Sequence, residues 1–262
     1  MKAIVLHSIV PIRTAPSETA EQSTQLLFGE TCTAEVAGER WYHIKADLDG
    51  QEGFADSKML SPISDNQYAR HTESITKSFA RVALPMTYAV SCNNHATLPL
   101  TMGTRLSDYK NGTFRMLDVT FRIDANAVIT VPYALNQDSL MQVTRFLINT
   151  PYLWGGKNAL GMDCSGFTQV VMSLFGRDLP RNASQQALCG TQVNDFSYAR
   201  AGDIAFFGHD DDTHISHVGI LIDKDRIIHC SGRVKVEKLN NEGIFSAEQG
   251  KYTHQLRTIR RL

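Results

Sequence analysis

The sequence predicts an α+β domain at the C-terminal end, preceded by two small β-barrels, on three observations. Short alternating apolar runs separated by turn clusters fill residues 1–63, the pattern of a small antiparallel barrel. Alternating runs resume over residues 81–133. From Asn136 onward helical periodicity appears and is followed by strands, the layout of an α+β domain.

The first barrel is built from runs at residues 2–10, 23–28, 31–36, 41–46 and 52–55, with turns at Pro16-Ser17, Gly29-Glu30, Gly38-Glu39 and residues 47–50. The opening apolar run is broken by His7 and Ser8, ends at Pro11, and has no small-x-small site after it. It reads as a first strand rather than a signal peptide, and a cytoplasmic location is the expectation. Residues 64–80 are polar and of mixed charge, a linker with some helix. Runs at 86–92, 96–101, 104–107, 112–118, 119–123 and 127–131 predict the second barrel, with turn signals at Asn93-Asn94 and Asn111-Gly112. The predicted division is therefore 1–63, 64–135 and 136–262.

In the third segment Leu140, Val143, Phe146 and Leu147 share one helical face ahead of Pro151. A second helix follows Cys164, with Phe167, Val170, Val171 and Leu174 on one stripe and Gly176 as its stop. Strands are predicted at 203–207, 217–222, 226–230 and 233–238.

The bulk numbers exclude several function classes. The chain has 262 residues, 42% apolar and 20% charged, with 26 Lys and Arg against 27 Asp and Glu, a net charge of −1. That balance gives no field to recruit nucleic acid or an anionic membrane, and no apolar run reaches the ~18 residues of a membrane span. Arg257, Arg260 and Arg261 read as a solvated terminal face. Cys32, Cys92, Cys164, Cys189 and Cys230 are odd in number and lack any CxxC, which fits neither a disulfide framework nor a zinc ribbon.

Cys164 stands where a Gly-rich loop meets an apolar helix, in TPYLWGGKNALGMDCSGFTQVVMSLFG. A helix N-terminus offers free N–H groups and a positive dipole end, which lower a thiol pKa and can hold an oxyanion. The segment HVGILIDKDRIIHC reads as a hairpin, and the midpoint of His217 and His229 falls on Asp223. The two imidazoles are then predicted to face each other, about 5 Å apart at Cβ. A His held by a second polar group is the base-and-orienter half of a catalytic triad.

Those residues carry a resemblance. YLWGGKNALGMDCSGF, LPRNASQQ, AGDIAFF, ISHVGI and IIHCSG, spanning about 136–262, resemble the NlpC-type family of cell-wall cysteine peptidases. VPIRTAPSETAEQSTQLLFGE followed by RWYHIKADLDGQEGFAD resembles a bacterial SH3-like domain, and relatives with two such modules suggest the second. The resemblance implies a papain-like core with Cys164 as nucleophile, His217 as base and His229 as orienter. It also implies hydrolysis of the γ-D-glutamyl bond to a diamino acid in peptidoglycan peptides, with no metal or organic cofactor and a monomer expected.

It further implies a substrate cleft lined by Tyr152, Trp154, Asp163, Ser165 and Arg181, with the Cys164 N–H and the Tyr152 hydroxyl at the oxyanion. Arg181 is a candidate partner for the α-carboxylate of D-glutamate, with a plain loop arginine as the alternative. Asn182 departs from the branch acting on free L-Ala-γ-D-Glu peptides, which has Asp there, and Gln51 stands where that branch has Tyr. Glu21 is the alternative carboxylate for the amine end. HDDDTHISH at 209–217 invites a metal reading, but its consecutive aspartates cannot converge on one ion, and a solvated loop is the expectation. The competing functions are an amidase or acyltransferase on the same core and a non-catalytic wall-binding protein.

Overall fold

The computed structural model describes residues 1–208 and 214–262. It divides into two compact units, Met1–Pro132 and Tyr133–Leu262.

The first unit opens with β1 (Lys2–Ile4), β2 (Ile9–Arg13), β3 (Gln22–Leu27), β4 (Thr31–Val36), β5 (Trp41–Ala46), β6 (Glu52–Asp56) and β7 (Ser61–Ile63). They form one antiparallel sheet in the order β3-β2-β6-β5-β4-β1-β7, around a core that includes Val10, Ile12, Leu26, Ala34 and Ile44. The segment read as a linker with some helix is mostly a 13-residue helix, α1 (Asp65–Lys77). Its capping box is complete, with Ser64 and Gln67 satisfying each other's backbone N–H. Buried His71 bonds the Gly29 carbonyl at 2.8 Å, which ties the helix to the sheet.

Then follow β8 (Arg81–Val82), β9 (Met86–Ser91), β10 (Thr97–Thr101), β11 (Thr113–Met116), β12 (Val119–Ile123) and β13 (Val128–Ile129). They make a four-stranded sheet, β10-β9-β12-β11, and a two-stranded one, β13-β8. Ile4 of β1 and Phe28, which follows β3, sit in the core of this second module, beside Phe114, Leu100 and Val82. These two residues tie the two β modules together within the first unit.

The second unit starts with α2 (Gln137–Thr144), capped by Asn136, whose side chain accepts from the Ser139 N–H at 3.0 Å. Leu140, Val143 and Leu147 are buried, as their spacing predicts, whereas Phe146 is 45% exposed. The helix ends before Phe146, whose ring takes the Arg145 guanidinium over its face instead of entering the core. Next come β14 (Lys157–Asn158), β15 (Gly161–Met162), the fully buried α3 (Cys164–Leu174) and the short α4 (Ala183–Gln186).

The remaining strands are β16 (Thr191–Gln192), β17 (Ile204–Gly208), β18 (His217–Leu221), β19 (Arg226–Ser231), β20 (Arg233–Leu239), β21 (Gly243–Ser246) and β22 (Lys251–Arg261). Their order is β16-β22-β17-β18-β19-β20-β21, and β22 also pairs with β21, so the sheet closes on itself. The arginines expected on a solvated terminal face belong to β22, and Arg261 bonds Asp203 at 2.7 and 2.8 Å. Ala205, Phe207, Leu221, Ile227, Ile244 and Ile259 fill the inner face, and α3 packs on β18 and β19.

Candidate active site

Asp163 organises the loop that leads into Cys164. As N-cap of α3 it accepts from the Gly166 N–H at 2.7 Å, and its other oxygen accepts from the Gly155 N–H at 2.9 Å. Arg181 donates to both oxygens, at 3.0 and 2.6 Å, and to the Ser165 hydroxyl at 2.8 Å. Gly166 is required where it stands, since a Cβ there would lie 2.2 Å from the Gly156 carbonyl oxygen. The loop and the first turn of α3 thus approach within backbone contact.

This geometry corrects one sequence expectation. Arg181 is 1% exposed and its guanidinium is engaged by Asp163 and Ser165, so it braces the loop rather than presenting itself to a carboxylate of the substrate. Removing one partner of a buried ion pair strands the other charge, at a cost of about 3–5 kcal/mol. Arg181→Met is therefore expected to lower stability by about that amount, read as the denaturant midpoint. A midpoint unchanged from wild type would contradict the bracing role.

Cys164 is the first residue of α3 and is 7% exposed. The helix terminus predicts a lowered thiol, but burial pushes it up to about 11 and the Asp163 charge adds to the rise. Hydrogen bonds from the backbone N–H groups of Val218 and Ser165, and the Arg181 charge, pull the other way without overcoming burial. The Val218 contact follows from the sheet. Pairing of β18 with β19 stops at Gly219–His229, so Val218 has no paired residue on β19 and its N–H serves the sulfur. Val218 follows His217 directly, which brings the sulfur to the strand that carries the imidazole.

The hairpin register differs from the predicted one by two residues. His229 faces Gly219, not His217, because the turn is centred on Lys224 rather than Asp223, with Ile222 N–H bonding the Arg226 carbonyl at 2.9 Å. A shift of two preserves the face, so the histidines meet diagonally, with His217 Nε2 2.8 Å from His229 Nδ1. Gly219 leaves the room for this, since a Cβ there would come within 2.8 Å of the His229 Cβ.

Two further side chains belong to the cluster and escape sequence reasoning. His229 Nε2 lies 2.9 Å from Glu237 Oε2, and Lys235 Nζ lies 3.3 Å from the same oxygen. His254 stacks on His217 with ring centroids 4.2 Å apart and planes 31° apart. Glu237 has a usable signal: in the alternation of RVKVEKL it shares parity with Lys235, which pairs with His229. His254 has none, because it comes from β22, a strand outside those the sequence predicts.

The hydrogen-bond chain fixes the tautomers. Burial alone would raise the Glu237 carboxyl, but the His229 hydrogen bond and the Lys235 charge help bring it down to about 2. An ionised Glu237 accepts from His229 Nε2–H. His229 Nδ1 is then a lone pair that accepts from His217 Nε2–H, leaving His217 Nδ1 as the basic nitrogen. Burial keeps both imidazoles below the ordinary histidine value, His217 well below it, with the charges of His229, His254 and Lys235 adding to the effect at His217.

Other predicted residues lie as follows. Tyr152 is half-buried and bridges to Met162, and burial with the neighbouring Cys164 and Asp163 charges raises its phenol, so it is a protonated donor. Trp154 is 59% exposed. Asn182 is exposed and precedes α4 as its N-cap. Glu21 is exposed in the first unit, its carbonyl accepting from Thr14 at the end of the β2–β3 connection. The run His209–Thr213, which holds most of the metal-like cluster, lies outside the described residues. Among the described residues no group of three or more His, Cys, Asp or Glu is arranged to hold a metal ion.

Residues 149–253 match the NlpC/P60 family, and residues 12–60 match the bacterial dipeptidyl-peptidase Sh3 domain. A γ-D-glutamyl-L-lysine dipeptidyl-peptidase of Bacillus subtilis (strain 168) is 26% identical over 213 residues, covering 79% of this chain and 71% of that protein. One of the same name from Bacillus cereus is 27% identical over 253 residues, covering 87% of this chain and 73% of that protein. In fold, the chain matches the crystal structure of an NlpC/P60 family protein from Bacillus cereus at a TM-score of 0.83 and 21% identity, covering 100% and 99% of the two chains. An NlpC/P60 endopeptidase from Photobacterium damselae subsp. piscicida gives 0.72 at 15% identity, covering 98% of this chain and 70% of that one. With its buried Cys164 at a helix start and its paired histidines, the region 149–253 matches the NlpC/P60 family and residues 12–60 match a bacterial dipeptidyl-peptidase Sh3 domain.

Proposed function

We propose that the protein hydrolyses the bond between the γ-carboxyl of D-glutamate and a diamino acid in peptidoglycan-derived peptides, with Cys164 as nucleophile, His217 as base and His229 as orienter. The observation that carries this reading is the chain His217–His229–Glu237, which leaves His217 Nδ1 as the free basic nitrogen on the strand that also bonds the Cys164 sulfur. The assigned bond draws on the names of the two Bacillus relatives. The all-β module at 81–129 is read as a second, divergent SH3-like barrel.

With a raised thiol and a lowered imidazole, the resting pair is neutral. The Cys164 S–H proton passes to His217 Nδ1 as sulfur bonds the γ-carbonyl carbon. The Cys164 N–H and the Tyr152 hydroxyl stabilise the oxyanion. As the C–N bond breaks, the imidazolium returns the proton to the leaving amine, giving a thioester and the free diamino acid. Water then gives a proton to His217 and a hydroxyl to the acyl carbon, and the thiol leaves reprotonated. Glu237 and His229 hold the ring in the tautomer each step needs.

A neutral pair has its own pH signature. Protonating His217 removes the base, so kcat/KM is expected to fall only below pH 6.5, the ordinary histidine value, and to stay level toward pH 10. A thiolate–imidazolium pair would lose activity as the imidazolium deprotonates, so a decline between pH 8 and 9 would contradict the neutral pair. Stability shifts in the same direction. Below pH 6.5 the unfolded chain takes up protons that the buried imidazoles refuse. As pH then falls from 4.5 toward 2, the stabilisation from the Glu237 carboxylate is lost as well. Acid therefore lowers Tm.

The substrate assignment is tested with L-Ala-γ-D-Glu-L-Lys, its diaminopimelate counterpart, their N-acylated forms and purified sacculi, with products read by mass spectrometry. Release of the diamino acid from the free tripeptides is the expected result. Cleavage of the acylated forms as well would show that Asn182 goes with a relaxed amine requirement. Release of ammonia, transfer to an acceptor amine, or cleavage at another bond would overturn the reading.

A further inference from the structure

We propose that the cavity beside the paired histidines is the subsite for the leaving diamino acid, and that Glu242 in its lining selects a cationic side-chain amine. This rests on the bond assigned above and names the residue that reads the group beyond it. The cavity encloses about 670 Å³, and its lining includes Ser216, His217, Glu242, Tyr252, His254 and Gln255.

Three observations converge on the leaving group. First, a general acid must come within about 3 Å of the atom it protonates. The nitrogen that His217 protonates is therefore held against its imidazole, and the chain attached to that nitrogen occupies space that His217 borders. This cavity is one such space, since His217 is part of its lining. Second, its volume admits a whole amino acid with an extended side chain, within the ordinary range for small-molecule sites.

Third, the charges are complementary. Glu242 is the one acidic residue among the described lining residues, and no Lys or Arg lines the cavity. The Glu242 carboxylate has neither an ion pair nor a hydrogen bond among the described residues. Lysine differs from norleucine, a neutral residue of the same length, by one ammonium at the end of its side chain. An unengaged carboxylate in the cavity is the group that can tell them apart. Neutral donors at Tyr252 and Gln255 remain for the main chain of the leaving residue.

The test measures kcat/KM of the full chain on L-Ala-γ-D-Glu-L-Lys and on the same peptide ending in L-norleucine. Wild type, Glu242→Gln and Glu242→Lys are compared at low and high salt. Glu242 is exposed, so the expected effect is that of a solvated ion pair. The lysine-to-norleucine ratio should fall about 2- to 5-fold in Glu242→Gln, and further in Glu242→Lys. Salt should lower the wild-type ratio. A ratio unchanged by both substitutions overturns the subsite while leaving the assigned bond standing. A wild type that cleaves neither peptide at the γ-D-glutamyl bond overturns the bond and the subsite together.

Discussion

Cys164→Ala is expected to reduce turnover of L-Ala-γ-D-Glu-L-Lys by about 10⁴-fold or more, the scale on which removal of a covalent nucleophile acts. The fold should survive. Cys164 sits at a helix start with its backbone held by Asp163 and the α3 bonds, and losing one buried sulfur costs at most about 1–2 kcal/mol. Cys189→Ala and Cys230→Ala are expected to keep turnover. Cys230 follows His229 on β19 and donates to the Met162 carbonyl at 3.1 Å, on the opposite face from the imidazole. The measurement is single-turnover kinetics beside a thermal melt. Residual hydrolysis above a few per cent in a well-folded Cys164→Ala would remove Cys164 from the nucleophile's role.

The histidine chain predicts a graded series. His217→Ala should cost about 10³–10⁴-fold in kcat, because it removes the group that moves the proton in both half-reactions. His229→Ala and His229→Asn should cost less, about 10²-fold, since the base persists but its tautomer and position loosen. Glu237→Gln should cost least, because it acts on His217 only through His229. The positions can be separated from plain destabilisation by the pH profile. Losing the Glu237 carboxylate removes a charge that raises His229, so the acid limb should move in Glu237→Gln. A larger loss at His229 than at His217 would exchange the two roles.

Much of this site is legible in the sequence, and the failures have physical causes. The Cys164 junction is readable because a Gly-rich loop running into an apolar helix has few other uses, and Asp163 is a cap by residue type. The histidine pair is readable because strand parity survives an error of two in register. The register itself is not, since nothing in IDKDR distinguishes a turn centred on Asp223 from one centred on Lys224. The thiol's raised value is invisible for a different reason: a helix terminus is local, whereas burial at Cys164 comes from the whole sheet packed on α3. Arg181 shows the same limit, because a loop arginine and a buried brace have the same residue type. The SH3-like strands follow from alternation alone. By contrast, α1 is masked by its polar surface, although Ser64 and Gln67 announce its start.

The central claim is that Cys164 carries the acyl half of the substrate. It is tested most directly by acid-quenching the enzyme with L-Ala-γ-D-Glu-L-Lys within the first turnover and locating the adduct by peptide mass spectrometry. The account predicts that the Cys164 peptide gains one L-alanyl-D-glutamyl acyl group as a hydroxylamine-labile thioester, with lysine released in equal amount. An adduct on another residue, or lysine release with no acyl-enzyme at any quench time, would contradict it.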